Sequence, residues 1–335
     1  MAAGIAAARY PGGTGPRVLI AGASGYIGRV VVRELLDRGY RVSCILRRPL
    51  SPDDAAFAGA RLLLADLTRP ESLSAAMLGE EVPEMVVSCL ATRTGGIADA
   101  WAVEYQANLN LLRVAETAGS RQFLLLSAIC VQKPLLAFQK AKLAFEQALM
   151  DSQLTWSIVR PTAFFKSLAG QVARVQAGKP FMVFGNGELT ACKPISEADL
   201  ADFMLACLES TEYHNRILPI GGPGPAITPR QQGELLFRLC GQPAKFRQLP
   251  LGLFDAAIAV LGGLSRLVPA LADKAEFARI GRYYGSESML LLNPASGRYD
   301  ADATPSWGND TLEAFYRRVL AQGLAGQELG EHKLF

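Results

Sequence analysis

The sequence predicts an α/β fold, a Rossmann-type doubly wound parallel sheet followed by a smaller, mostly helical C-terminal substrate region. Three observations predict it. From Arg17 onward, short apolar runs alternate with amphipathic segments, the pattern of parallel βαβ units. The apolar runs are rich in Val, Ile and Leu and alternate little, as strands covered on both faces do. A glycine-rich turn stands between the first apolar run and the first amphipathic one.

Taken in order, Arg17 to Ala21 reads as a strand, and Tyr26 to Asp37 as a helix that Gly39 ends. Further strands are expected at Arg41 to Leu46, Arg61 to Ala65, Met85 to Leu90 and Gln122 to Leu126. A helix through Leu135 to Met150 and a strand from Thr155 to Val159 follow, the strand stopped by Pro161. Beyond Pro161 helical stretches dominate (Ser196–Glu209, Pro229–Cys240, Asn309–Gln322). One more apolar run, Arg216 to Ile220, is placed to rejoin the sheet. The expected division is a flexible tail at 1–16, a dinucleotide-binding domain at 17–160 and a substrate-binding region at 161–335 interleaved with the sheet.

Composition narrows the function. Half of the 335 residues are hydrophobic, so a packed core is available, and the net charge of +3 gives no footprint for nucleic acid. The six cysteines are scattered, with no C-x-x-C and only His214 and His332 to join them. No zinc site, iron–sulfur cluster or disulfide framework is expected, and the reading is buried, reduced thiols. Residues 1–16 show neither an apolar signal core nor a Ser/Arg-rich transit pattern. The Leu251–Leu261 stretch is too short to span a bilayer. A cytoplasmic protein is expected.

The sharpest motif is Gly22-Ala-Ser-Gly25-Tyr-Ile-Gly28. A pyrophosphate needs backbone to approach it closely and N–H groups aimed at it from a helix N-terminus, and glycines in a strand–turn–helix supply both. The second strand ends not in an acid but in Arg47-Arg48. Two guanidinium groups suit a 2′-phosphate, so NADPH is the expected cofactor; a solvated basic turn is the alternative. Asp66, after the third strand, suits an adenine amino group or the N-terminus of a helix.

Glycine spacing and strand order resemble the short-chain dehydrogenase/reductase superfamily. Carbonyl-reducing members carry Tyr-x-x-x-Lys on the helix after the fifth strand, the phenol giving its proton to the alkoxide. Here the helix reads Phe138-Gln-Lys-Ala-Lys142: the lysine is present and the hydroxyl is absent. Either the dinucleotide is bound without turnover, or the substrate needs no acid there. A carbon–carbon double bond conjugated to a large π-system meets the second condition, because the charge left by hydride addition spreads into the substrate.

The stretches Leu126–Leu136, Phe138–Glu146, Ala278–Tyr284 and Tyr299–Gly308 resemble the NADPH-dependent divinyl chlorophyllide 8-vinyl-reductase family, and the match runs from about Arg17 to about Leu320. The resemblance implies reduction of the 8-vinyl group of a divinyl chlorophyllide or protochlorophyllide to ethyl, in chlorophyll or bacteriochlorophyll synthesis by a phototroph, with a bacterial source expected. It further implies that Gly22, Ser24, Gly25, Tyr26, Ile27 and Gly28 line the pyrophosphate, that Arg47 and Arg48 hold the 2′-phosphate, and that Asp66 and Leu67 meet the adenine. Cys89 and Ala91 would pass the ribose, Ser127 would face the nicotinamide, and Arg160-Pro161 would set backbone against the carboxamide. Lys142 is the candidate catalytic side chain, holding the ribose and adding positive charge; a merely solvated lysine is its alternative.

A flat, greasy macrocycle with an acidic propionate calls for a broad apolar slot and a cation. Phe164, Phe165, Lys166, Arg282, Tyr283 and Tyr284 are the candidates, with ordinary core packing as the alternative for the aromatics. Leu251–Leu267 reads either as a cover over that slot or as an amphipathic helix lying peripherally on the photosynthetic membrane. Two other readings compete: a non-catalytic NADPH-binding sensor or assembly factor, and a reductase for a smaller conjugated alkene.

Overall fold

A computed structural model describes residues 9–51, 54–74, 78–79, 82–92 and 95–323. Its centre is a seven-stranded parallel sheet in the order β3-β2-β1-β4-β5-β6-β8. The strands are β1 (Arg17–Ala21), β2 (Arg41–Leu46), β3 (Arg61–Leu64), β4 (Met85–Ser88), β5 (Gln122–Leu126), β6 (Thr155–Pro161) and β8 (Arg216–Ile220). The order reverses direction between β1 and β4, the switch point where open α/β sheets bind ligands at their carboxyl ends.

Helices cover both faces. On one, α1 (Tyr26–Asp37) and α6 (Glu197–Glu209) pack Val31, Leu35, Leu200 and Met204 onto Val18 and Ile20. On the other, α3 (Asn108–Ala118) and α4 (Ala137–Met150) pack Leu111 and Phe145 onto Leu19 and Phe123. Adjacent strand residues thus feed opposite cores, which is why these runs read as continuously apolar. The edge strand β3 departs from that pattern: Leu62 and Leu64 are 45% and 57% exposed, because it has a neighbour on one side only. Arg38, 6% exposed, clamps α1 to α6 by bonding Glu34, Asp202 and Glu209.

The second lobe has a core of its own, built by Phe165, Val172, Phe181, Phe237, Phe315 and Tyr316. It contains α5 (Val172–Gln176), α7 (Pro229–Leu239), α10 (Leu312–Gln322) and a two-stranded sheet of β7 (Phe181–Phe184) and β9 (Phe246–Leu249). A helical hairpin of α8 (Gly252–Leu264) and α9 (Leu271–Ser286) projects from it, followed by the short pair β10 (Leu291–Leu292) and β11 (Tyr299–Asp300). The run at 216–220 joins the sheet beside β6, so the later half of the chain does interleave with it.

Two expectations need correction. Part of the presumed flexible tail, residues 1–8, lies outside the described residues, but Tyr10 is docked. Its N–H donates to the Arg38 carbonyl (2.7 Å) and its ring meets Tyr40 edge-on at 5.1 Å. Secondly, Ile97–Ala118 runs as one helical rod: α2 (Ile97–Ala100) continues through a π-helical stretch, Trp101–Ala107, into α3. Periodicity of 3.6 is broken in that stretch, and no helix was legible there.

Candidate active site

The glycine turn caps the switch point. Gly22 has φ +74°, and a Cβ there would lie 2.4 Å from the Cys89 carbonyl carbon and oxygen. Only glycine lets β1 turn this close to the strand end of β4. A Cβ at Gly28 would sit 2.2 Å from the Gly22 carbonyl oxygen, so the third glycine lets α1 nest against the turn. Gly25 is the N-cap of α1 and no side chain caps that end, while Ser24 and Gly25 are exposed at the tip. A cradle that a Cβ would fill, ending at an uncapped helix N-terminus, fits a dinucleotide pyrophosphate.

Around it, Arg47 and Arg48 are exposed at the end of β2. The Asp66 carboxylate closes its own turn, accepting from the Thr68 N–H (3.1 Å) and hydroxyl (2.7 Å); these bonds hold it below the usual carboxylate range. Leu67 is 6% exposed in the core and its carbonyl accepts from Asn110 (2.8 Å), so its side chain serves packing and not an adenine face. Ala91 is exposed, whereas the Cys89 thiol is buried and pushed up to about 12. Pro161 is buried at the end of β6, in register with Ile220.

Two acid-centred clusters stand beside the carboxyl ends of β5 and β6, both anchored on the inner face of α4. Lys142 and Glu146 are one helical turn apart and both buried, yet they do not pair with each other. Lys142 Nζ lies 2.8 Å from Glu104 Oε2, and Glu104, 2% exposed, is turned inward from the π-helical stretch; its other oxygen accepts from the Thr92 N–H (2.9 Å). The pair is held by charge, with no hydrogen bond to Glu104 Oε2, so the ammonium donors stay available for a ribose. Glu146 accepts from the Ser127 hydroxyl and from Arg160, whose guanidinium reaches it from β6. Ser127 therefore points to a carboxylate within the protein. Sequence reasoning found Lys142 and Ser127 but missed Glu104, Glu146 and the Arg160 side chain. The one available signal was an acid four residues after Lys142 on the same helix face.

Phe138 occupies the position of the missing phenol and packs against the cluster of Cys130, Leu136 and Tyr283, against which Ile280 and Met289 also pack. The six slot candidates do not converge. Phe165 is 2% exposed and stacks on Phe315 at 5.5 Å in the second core, so burial removes it from the slot. Tyr283, 3% exposed, donates to the Cys130 carbonyl (2.8 Å) and so braces the loop after β5 from inside. Phe164 and Lys166 flank the glycine turn: the Phe164 ring lies 6.3 Å from that of Tyr26, and Lys166 Nζ sits 4.7 Å over the same ring. The Tyr26 hydroxyl donates to Glu197 (2.5 Å), tying the turn to the start of α6. Arg282 is paired with Asp255 of α8 (2.9 Å). Tyr284 alone of the six presents a ring that is more than a third exposed, at 37%, beside this region.

Comparisons with known proteins agree with this geometry. Residues 22–211 match a family profile described as NAD(P)H-binding. A chloroplastic divinyl chlorophyllide a 8-vinyl-reductase of Zea mays is 53% identical over 331 residues, 95% of this chain and 82% of that protein. The chain belongs to the divinyl chlorophyllide a 8-vinyl-reductase family. More distantly, the Photosystem II assembly factor Ycf39 of Cyanophora paradoxa is 29% identical over 72% of this chain and 74% of its own length. Among solved structures, UDP-glucose 4-epimerase of Bifidobacterium longum superposes with a TM-score of 0.64 at 16% identity, covering 94% of this chain and 99% of that one, which establishes the shared fold.

Proposed function

We propose that the protein reduces the 8-vinyl group of a divinyl chlorophyllide or protochlorophyllide to ethyl, using NADPH. The observation that carries this reading is the likeness to named 8-vinyl-reductases along 95% of the chain. It is supported by an α4 that keeps the lysine of a reductase and puts Phe138 where a carbonyl reductase needs a phenol. Those relatives are chloroplastic by name, which supports a photosynthetic organism as the source of this chain.

The dinucleotide, when bound, supplies a hydride. The chain's part is to hold and polarise. The glycine cradle and the N-terminus of α1 take the pyrophosphate, and exposed Arg47 and Arg48 take the 2′-phosphate. Lys142, with Glu104 fixing its ammonium, holds the ribose. The buried Glu146–Arg160–Ser127 cluster keeps β5, β6 and α4 in register beneath the nicotinamide. The macrocycle itself takes up the charge that follows hydride addition, so α4 needs no proton donor at position 138.

The decisive experiment mixes purified protein, NADPH and divinyl chlorophyllide and follows the Soret band. A blue shift with consumption of NADPH is expected. NADPH binding without any pigment reduction would favour instead the assembly-factor reading that the likeness to Ycf39 raises.

The α8–α9 hairpin gives the membrane reading some support. No α8 residue is buried, and Leu253, Val260, Leu264, Leu267 and Val268 are all at least 46% exposed. Among the described residues no helix is long and apolar enough to cross a membrane.

A further inference from the structure

We propose that Tyr284 donates the proton that completes the vinyl reduction, a phenol supplied from α9 in place of the one that α4 lacks. The assignment rests on the vinyl-reductase reading above and names a group that the reading leaves open.

Position argues for it first. Phe138, at the place of the missing phenol, packs against the cluster of Cys130, Leu136 and Tyr283, as Ile280 does. Tyr283 and Ile280 belong to α9, and Glu276 of the same helix accepts from the Ala137 N–H (2.8 Å) at the start of α4, so α9 meets the N-terminal turn of α4. The next residue, Tyr284, reaches the same loop: its hydroxyl lies 3.9 Å from the sulfur of Cys130, which is 4% exposed. Tyr283 and Tyr284 meet edge-on at 5.7 Å but differ in kind. The first is buried with its hydroxyl bonded to a carbonyl, and the second is 37% exposed with its hydroxyl against a thiol.

Chemistry argues for it next. A phenol in contact with a thiol has no strong acceptor holding its proton. Burial, together with Cys130, Tyr283 and Glu104, pushes the Tyr284 phenol well above its ordinary value, so it enters the reaction protonated. In the completed step, the electron pair of the hydride forms the bond to the terminal vinyl carbon and the vinyl π bond breaks into the macrocycle. The O–H bond of Tyr284 then breaks, its proton bonds to the inner vinyl carbon, and ethyl results. The phenolate recovers a proton from water. One hydride and one proton are consumed per vinyl group.

Tyr284→Phe tests this, since it removes one oxygen and keeps the ring. Three quantities are compared with the parent protein: turnover, the NADPH dissociation constant, and binding of divinyl chlorophyllide without NADPH, read as a Soret shift. The expected result is a loss of turnover of about a hundredfold, with both binding constants unchanged. Turnover within about twofold of the parent would overturn the assignment. So would a fall in pigment binding that matches the fall in turnover, because Tyr284 would then be a slot wall only. If the parent protein leaves the vinyl group intact, the vinyl-reductase reading fails and takes this assignment with it.

Discussion

The two sides of the candidate site are made in different ways. The cofactor wall is backbone: a turn at Gly22 pressed against the Cys89 carbonyl, and a helix pressed on that turn at Gly28. Its function depends on the absence of side chains, and its residues follow one another in the chain. The opposite wall is made of side chains gathered from far apart: Lys142 and Phe138 from α4, Glu104 from the π-helical stretch, Tyr284 from α9. A wall of backbone tolerates no addition, whereas a wall of side chains can be altered one group at a time. Polar groups on the second wall are already paired with one another, so each substitution there disturbs a partner as well.

The largest effect is therefore expected from the smallest change. Gly22→Ala adds one methyl group at φ +74° and 2.4 Å from the Cys89 carbonyl. Either β1 or β4 must shift, and NADPH affinity should fall at least about a hundredfold, some 2.7 kcal/mol, as read by quenching or enhancement of NADPH fluorescence. Near-normal affinity would mean the cradle is not the phosphate site, and the contrast between the walls would go with it.

On the side-chain wall, Lys142→Met should cut turnover at least tenfold, ~1.4 kcal/mol of barrier. It also leaves Glu104 buried without its cation, which costs about 3–5 kcal/mol of stability. Pairing it with Glu104→Gln separates the two consequences. The double variant should regain most of its thermal midpoint while turnover stays low. If turnover returns with stability, Lys142 is a structural ion-pair partner and nothing more.

That distinction also marks how far the sequence could be read. β1, α1, β2, β5 and β8 fall on the residues that alternation and glycine predict, because each is specified by local pattern. The glycine turn between β1 and α1 was legible for the same reason. Glu104 was not, since its approach to Lys142 depends on a π-helical stretch that spoils the periodicity an observer looks for. Phe165 and Tyr284 carry the same kind of aromatic promise in sequence. Only packing shows that one fills a core with Phe315 and the other lies open beside Cys130. Ser127 was found by its place after β5, but its bond to Glu146 depends on how α4 lies across the sheet.

A middle-sized effect tests the rim of the backbone wall, where side chains do matter. Arg47→Ala with Arg48→Ala should weaken NADPH by about tenfold and leave NADH nearly untouched, because both guanidinium groups are exposed and serve only the extra phosphate. The parent preference should shrink as salt is raised, since exposed charges are screened. Michaelis constants for both dinucleotides at two ionic strengths check this, and equal use of NADH by the parent protein would refute the 2′-phosphate assignment.

The smallest effect is expected farthest from the chemistry, on the outer side of α8. This helix packs inward through Phe254, whose ring lies 5.1 Å from that of Phe184 and fills the space a Cβ at Gly281 would need. Leu264, the last residue of α8, and Leu267, in the turn after it, are 46% and 82% exposed. If the hairpin rests on lipid, each of these leucines enters the interface partially, contributing less than the roughly 1.5–3 kcal/mol of a fully buried side chain. Leu264→Ser with Leu267→Ser should then weaken sedimentation with liposomes severalfold while reduction of detergent-dispersed pigment is unchanged. Equal sedimentation of the two proteins would return the hairpin to the cleft as a cover, and a fall in pigment affinity would be the sign of it.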